Sequence, residues 1–175
     1  MLIIKRITEQ SEELPQIESL YERAFPENER RPLAPLLQDT AGNGEVIAFY
    51  DDTLFCGFAC LLTYRDITHI IYFAIDDALR GKGYGSAALT AMRERKAGNR
   101  IIVDIEVEQM NASNNVQRKK RKDFYLRNGY VESGVKYNWR HEYYEILVCG
   151  GMLTKKDFHS FWKNIYFKNG KLSRY

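Results

Sequence analysis

The stretch that most constrains this chain is "ALRGKGYGSAAL", residues 78 to 89, where Gly81, Gly83 and Gly85 alternate at the start of a helix-like run. Glycine costs a helix interior about 1 kcal/mol relative to alanine, so three of them at this point need a reason. A tight strand-to-helix turn is the plainest one. A nucleotide phosphate loop would require G-x-x-x-x-G-K-[ST], and no Lys-Ser or Lys-Thr pair follows these glycines. A dinucleotide fingerprint needs G-x-G-x-x-G, whereas here glycine recurs at every second residue. Backbone capture of a pyrophosphate suits the spacing better. Residues without Cβ let the main chain approach an anion, and the free N–H groups and dipole of a first helical turn attract it. Arg80 and Lys82 flank the turn as point charges.

The flanks support a strand–helix–strand unit. "THIIYFAI" is a continuous apolar strand ending at Asp76-Asp77. After the glycines, Tyr84, Ala87, Ala88, Ala91 and Met92 form a helical stripe that closes at Gly98. "RIIVDIEVEQ" then alternates, with Ile101, Val103, Ile105 and Val107 on one face and Ile102, Asp104, Glu106 and Glu108 on the other. Residues 69–108 therefore predict a right-handed crossover joining a parallel pair.

Elsewhere the pattern is antiparallel. "LIIKRI" reads as a first strand, "SEELPQIESLYERAF" as an amphipathic helix and "PLAPLLQDT" as a short second one. "GEVIAFYDD" and "LFCGFACLLTY" form a hairpin about Asp51-Asp52, and "YVESGVKYNW" with "YYEILVCGG" forms another. The helix "KDFYLRN" follows the basic run "RKKRK" and is stopped by Gly129. Residues 154–167 predict a C-terminal amphipathic helix, with Thr154 and Asp157 at capping-box spacing and an apolar stripe of Phe158, Phe161, Trp162, Ile165 and Tyr166. No linker divides the 175 residues, so one domain over 1–175 is expected.

Composition narrows the setting. No apolar stretch approaches the roughly 20 residues of a membrane helix, and the opening "MLIIKRITEQSEEL" turns acidic too early for a secretory signal. Cys56, Cys60 and Cys149 are too irregularly spaced for a metal or disulfide framework. A cytoplasmic protein without a metal is expected. Residues 1–117 carry 12 Lys/Arg against 18 Asp/Glu, and residues 118–175 carry 14 against 5. Ligands of opposite charge could meet between two such halves.

The segment from Arg80 to Gly85 resembles the R/Q-x-x-G-x-G/A signature of the GNAT N-acetyltransferase superfamily, and "FYLRNGY" resembles that family's F-Y-x-x-x-G-F/Y segment. The order of elements is similar over roughly residues 1–150. The resemblance implies an α/β (α+β) fold with a mixed, mainly antiparallel central sheet, a splayed parallel strand pair and flanking helices. It implies acetyl-CoA as co-substrate, its pantetheine arm paired with the main chain of Phe73, Ala74 and Ile75. The pyrophosphate would lie on amides around Gly81, Lys82, Gly83, Tyr84, Gly85 and Ser86, with Arg80 beside it. Tyr125 takes the family's phenol position, a general acid for the leaving thiol, while Phe124 and Tyr130 read as packing residues. Glu106 is the preferred base or water-orienting residue, with Glu108, His69 or water as alternatives.

The function implied is transfer of an acetyl group to a primary amine of a small molecule or peptide, by direct attack in a ternary complex. A non-catalytic acyl-CoA-binding sensor or interaction module is the alternative. Nucleic-acid binding through Arg118–Lys122 ranks last, because a basic run most often marks a solvated helix face. A homodimer is compatible with the aromatic stripe at 158–166. No membrane partner is expected.

Overall fold

Continuous apolar runs along residues 44–75 build three long strands, mostly buried on both faces, that pair in succession, and the rest of the sheet grows outward from them. A computed structural model of the chain describes residues 2–39, 42–139, 141–168 and 171–172. The strands are β1 (Ile3–Ile7), β2 (Gly44–Asp51), β3 (Leu54–Tyr64), β4 (Ile67–Ile75), β5 (Arg100–Glu106), β6 (Val131–Trp139) and β7 (Glu142–Cys149). Their order is β1-β2-β3-β4-β5-β7-β6. Among the described residues the one parallel pair is β4 with β5, and the other neighbours in this sheet are antiparallel. The mixed, mainly antiparallel sheet expected from the sequence is therefore the observed one. The second hairpin enters in reverse: β7, not β6, lies against β5.

Helices α1 (Leu14–Ala24), α2 (Ala34–Leu37), α3 (Tyr84–Arg95), α4 (Asn115–Arg127) and α5 (Lys155–Tyr166) cover both faces. One core joins Ile17, Leu20 and Tyr21 of α1, Leu36 of α2 and Phe158, Phe161, Ile165 and Tyr166 of α5 to the sheet. The opposite core holds Ala88, Leu89 and Met92 of α3 with Tyr125 of α4. Three layers result, with helices packed on both faces of the sheet.

Two boundaries differ from the pattern read in the sequence. The helix α4 begins at Asn115 and contains the whole basic run, because ion pairs rather than an apolar stripe hold its first turns. Strand β5 ends at Glu106, which leaves Glu108 exposed beyond it. At α5 the capping reading is met by reciprocal bonds: the Thr154 N–H donates to Asp157 Oδ2 at 3.1 Å, and the Asp157 N–H donates to Thr154 Oγ1 at 3.1 Å. A short antiparallel pair, Phe167–Lys168 with Lys171–Leu172, follows.

Candidate active site

The parallel pair parts halfway along. Its register runs from Ile67↔Arg100 to Ile70↔Val103 and goes no further, although β4 continues to Ile75 and β5 to Glu106. The cause lies on the other edge of β4. There Leu61 pairs with Ile70 and Cys60 with Tyr72, so Ile71 is the extra residue of a bulge directly after the last parallel pair. A bulge bends its strand and strengthens its twist, and here it carries β4 away from β5. Ile71 and Tyr72 both pack on the α1/α5 side as a result. Beyond the bulge Phe73, Ala74 and Ile75 pair with β3 on one edge and with no strand on the other.

The glycine turn follows at once. A single 3-10 turn, Asp77–Leu79, is capped by Asp76, whose carboxylate accepts the Ala78 N–H at 3.0 Å. Gly83 then sits at φ 89°, a left-handed conformation, as the residue before α3. Gly85 answers a different need: a Cβ there would lie 3.1 Å from the Phe124 ring. One glycine supplies backbone freedom and the other supplies close approach. The first helical bond in this turn runs from the Ala87 N–H to the Gly83 carbonyl, at 3.0 Å. Among the described residues no acceptor takes the N–H groups of Gly83, Tyr84, Gly85 or Ser86. An open depression of ≈ 330 Å³ beside them is lined by Leu2, Asp51, Lys82, Gly83, Tyr84 and Ala87. Arg80 is held by Asp77 at 2.8 Å, and the Tyr84 hydroxyl donates to Asp51 at 2.9 Å.

Tyr125 packs in the core on the α3/α4 face of the sheet. It is 6% exposed, with the rings of Phe124 and Tyr130 each 5.2 Å away. Burial pushes its phenol well above the usual range, partly opposed by the nearby Arg121. No described residue hydrogen-bonds its hydroxyl.

Glu106 lies on the opposite face of β5, and both its oxygens are engaged. Arg121 donates to Oε2 at 2.9 Å, while Arg118 reaches Oε1 at 3.2 Å and Asn114 donates to it at 3.4 Å. Arg118 is itself buried, forked onto Glu142 at 3.0 and 2.8 Å, and donates to the Val107 carbonyl. Lys122 pairs with Glu132 and Glu145, and Lys119 with Asp123. Within the run "RKKRK", Arg118 and Lys122 turn inward as counter-charges to acidic residues on and around the sheet, while Lys119, Lys120 and Arg121 stay exposed on a solvated face.

His69 is placed differently from the other candidate bases. It is 2% exposed, with Nε2 2.7 Å from Asp104 Oδ1 and Nδ1 3.3 Å from the Tyr166 hydroxyl. The Tyr137 hydroxyl donates to the other oxygen of Asp104 at 2.6 Å. Burial would raise the Asp104 carboxyl, but the His69 and Tyr137 bonds outweigh it and hold it below its ordinary value.

The loop between α1 and α2 closes this side. Tyr72 donates to the Glu29 carbonyl at 2.8 Å, and the Tyr21 hydroxyl both accepts the Arg31 N–H and donates to its carbonyl. Partial desolvation and the facing Glu106 raise the Glu29 carboxyl. Tyr144 is pushed up to about 12 by burial and then by the carboxylates of Glu106, Glu29, Asp104 and Glu142. No motif in the sequence marks Asp104, Tyr137, Tyr144 or Tyr166 as site residues. A signal was present: His69 and Asp104 are polar interruptions in two apolar strands, on one face of the sheet, with Asp104 two residues beyond Ile102, the register partner of His69.

The fold thus sets an unpaired edge of a splayed parallel strand beside a helix whose first amides have no acceptor among the described residues. The acetyltransferase (GNAT) family model matches residues 14–130, and the chain belongs to that family. Solved structures agree on the fold. A GNAT-family acetyltransferase candidate from Bacteroides thetaiotaomicron superposes with a TM-score of 0.78 at 23% identity, covering 95% of this chain and 99% of the other. An acetyltransferase from Bacillus subtilis in complex with CoA gives 0.61 at 13%, covering 87% and 100%. An aminoglycoside 6'-N-acetyltransferase from Enterococcus faecium gives 0.61 at 15%, covering 84% and 96%. A search of curated proteins returns no match. Among the described residues no helix is long and apolar enough to cross a membrane, and no group of three His, Cys, Asp or Glu side chains is placed to hold a metal ion.

Proposed function

We propose that the protein is an acetyl-CoA-dependent N-acetyltransferase that acts on a primary amine of a small molecule or peptide by direct attack in a ternary complex. One observation carries this reading: the unpaired edge of β4 at Phe73–Ile75 leads within a few residues to the unpaired amides of Gly83–Ser86. The first is suited to an amide-bearing arm added like a strand, the second to a pyrophosphate. The unpaired edge and free amides match the donors and acceptors such a co-substrate needs. Lys82 contributes charge at the rim, and Arg80 does so while braced by Asp77. Bound there, acetyl-CoA supplies an activated acyl carbon.

The chain's own groups handle the protons. An alkylamine, with a pKa of about 10.4, must lose a proton to attack, and a thiol near about 8.5 leaves more readily when its sulfur is protonated. Burial raises the Tyr125 phenol, so it is a protonated hydroxyl that no described residue bonds, and it is the donor to that sulfur. Glu106, with both oxygens in guanidinium bonds, serves to orient the incoming amine or its water. Burial pushes the Cys60 and Cys56 thiols up, which favours direct transfer over an acyl-cysteine.

A thiol-release screen of amines with acetyl-CoA tests the proposal, run beside calorimetry with CoA. Binding of CoA and turnover of at least one amine are expected, and Tyr125→Phe should lower kcat by about 100-fold, within the usual range for general acid catalysis, while leaving CoA affinity unchanged. No heat on adding CoA to folded protein would refute the cofactor site. Binding with no turnover over a broad panel would support the sensor reading instead.

A further inference from the structure

The amine's proton must go somewhere, and both oxygens of Glu106 are already taken. We propose that His69, braced by Asp104, receives that proton through the hydroxyl of Tyr166. This rests on the amine-acetylation reading above and names the proton acceptor within it.

The placement comes from the register. His69 pairs with Ile102, and Ile70 with Val103 is the last parallel pair, so Asp104 is the first residue of β5 beyond the split. Its carboxylate therefore stands where the strands begin to part, with a quarter of the side chain (25%) still open. His69 and Asp104 lie on the α1/α5 side, opposite the layer that carries Tyr125.

The hydrogen bonds set the tautomer. An ionised Asp104 accepts from Nε2–H, and this leaves Nδ1 as the acceptor for the Tyr166 O–H. A hydroxyl can reverse its role. When Nδ1 gains a proton it donates to the Tyr166 oxygen instead, so both bonds survive in both protonation states. Neither state leaves a buried polar group orphaned. Tyr137 holds the second Asp104 oxygen, so the counter-charge cannot swing away. The division of labour follows that of a nucleophile–histidine–aspartate triad, with a phenol in place of the nucleophile.

Asp104 of β5 and Tyr166 of α5 bond the imidazole directly, and the Phe161 ring lies 5.9 Å from it. Tyr137 of β6 bonds Asp104, while Tyr72 of β4 and Arg31 of the loop before α2 lie beside Tyr166, Arg31 at 5.7 Å over its ring. Tyr166 stays a neutral hydroxyl because burial raises its phenol, so it relays a proton and does not store one. In the step, an acceptor N–H bond breaks, directly or across a water, and an O–H bond forms on Tyr166. The original Tyr166 O–H breaks as H–Nδ1 forms, and the nitrogen keeps its electron pair for the acyl carbon. Asp104 balances the imidazolium until the proton returns to solvent. Tyr137 and Tyr166 both lie beyond residue 130, outside the segment matched by the family model, so α5 adds a component that segment lacks.

The test uses the amine found in the thiol-release screen, with Tyr166→Phe, His69→Gln and Asp104→Asn. Tyr166→Phe keeps the ring packing, and it should lower kcat at least tenfold while KM and CoA affinity stay within twofold. The acid limb of the pH profile should be lost in His69→Gln and altered in Asp104→Asn. Wild-type kcat and an unchanged acid limb in all three would overturn the relay alone. Failure of the wild-type protein to turn over any amine is a failure of the function proposed above, and is seen before any variant is made. If His69→Gln does not fold, nitrogen-15 NMR of the labelled histidines of the intact chain decides. The expected result is a neutral His69 protonated at Nε2 that gains a proton reversibly with the fold retained. An Nδ1–H tautomer, or no protonation before unfolding, would overturn it.

Discussion

The glycine turn and the polar face of β5 are neighbours in space and opposites in construction. The turn is built largely from consecutive residues: Gly83 needs only its own left-handed backbone, and only Gly85 answers to a distant group, the Phe124 ring of α4. The polar face is assembled from distant ones. Asp104 takes its partners from β4 and β6, and Glu106 and Glu142 share the buried Arg118 of α4. A site made of contiguous residues can be damaged at one position with the fold intact. A site made of tertiary pairings ties chemistry to stability.

The sharpest break between the two is Arg118→Ala. It would leave Glu142 and Glu106 facing each other without their shared counter-charge. Removing one partner of a buried pair costs about 3–5 kcal/mol, and about 2–3 kcal/mol is expected here because Glu142 keeps 30% of its side chain in solvent. Chemical denaturation should show this as a lower midpoint. An unchanged midpoint would mean that the basic run is as solvated as its composition suggests.

Gly83→Val should do the reverse, weakening CoA with little change in the rest of the molecule. A left-handed β-branched residue is strained by about 1–3 kcal/mol, which is roughly a tenfold to hundredfold loss of affinity if binding requires that conformation. No atom lies within 4 Å of a Cβ at this position, so crowding is not the cause. Gly85→Ala is the complement, with acceptable backbone but a ring 3.1 Å away. Equal affinity in wild type and Gly83→Val, by calorimetry, would remove the turn from the site. Glu106→Gln comes next, with about a tenfold fall in kcat/KM, the small end of the range for acid–base groups. It removes the charge that two guanidiniums share but keeps an acceptor oxygen for orientation.

This contrast also explains what could be read from the chain beforehand. Strands β1 to β5 and the turn announce themselves through apolar runs, the alternation of β5 and glycine spacing, signals that live within about ten residues. Helix α4 was seen only from Lys122 onward, since "NVQRKKR" has no apolar period and its first turns are stabilised by Arg118 and Arg121 reaching carboxylates on other elements. His69 and Asp104 were visible as polar residues in apolar strands, but their 2.7 Å contact depends on a register that no local pattern states. The insertion of β7 between β5 and β6 was hidden for the same reason, because hairpin patterns do not say which strand turns inward.

Asp157 joins the two kinds of contact in one side chain, and gives the smallest effect. Its carboxylate accepts from the Thr154 N–H and hydroxyl, a bond pattern legible four residues wide, and from Arg100 on β5, which is not. The Thr154 hydroxyl and then Arg100 hold its pKa down to about 2. A carboxyl depressed in the folded state adds stability above its unfolded pKa of about 3.9, and that contribution fades as pH falls through about 2. Asp157→Asn should therefore cost about 0.5–1 kcal/mol at pH 7, the lower part of the range for a lost helix cap, and progressively less below pH about 4. Urea midpoints at several pH values check the convergence, and a gap that stays constant with pH would show that charge plays no part. Thr154→Ala and Arg100→Met then divide the effect. The larger share should follow Thr154, because Arg100 is also held by Asp66 and by the Met152 carbonyl, and spreads its charge over three partners.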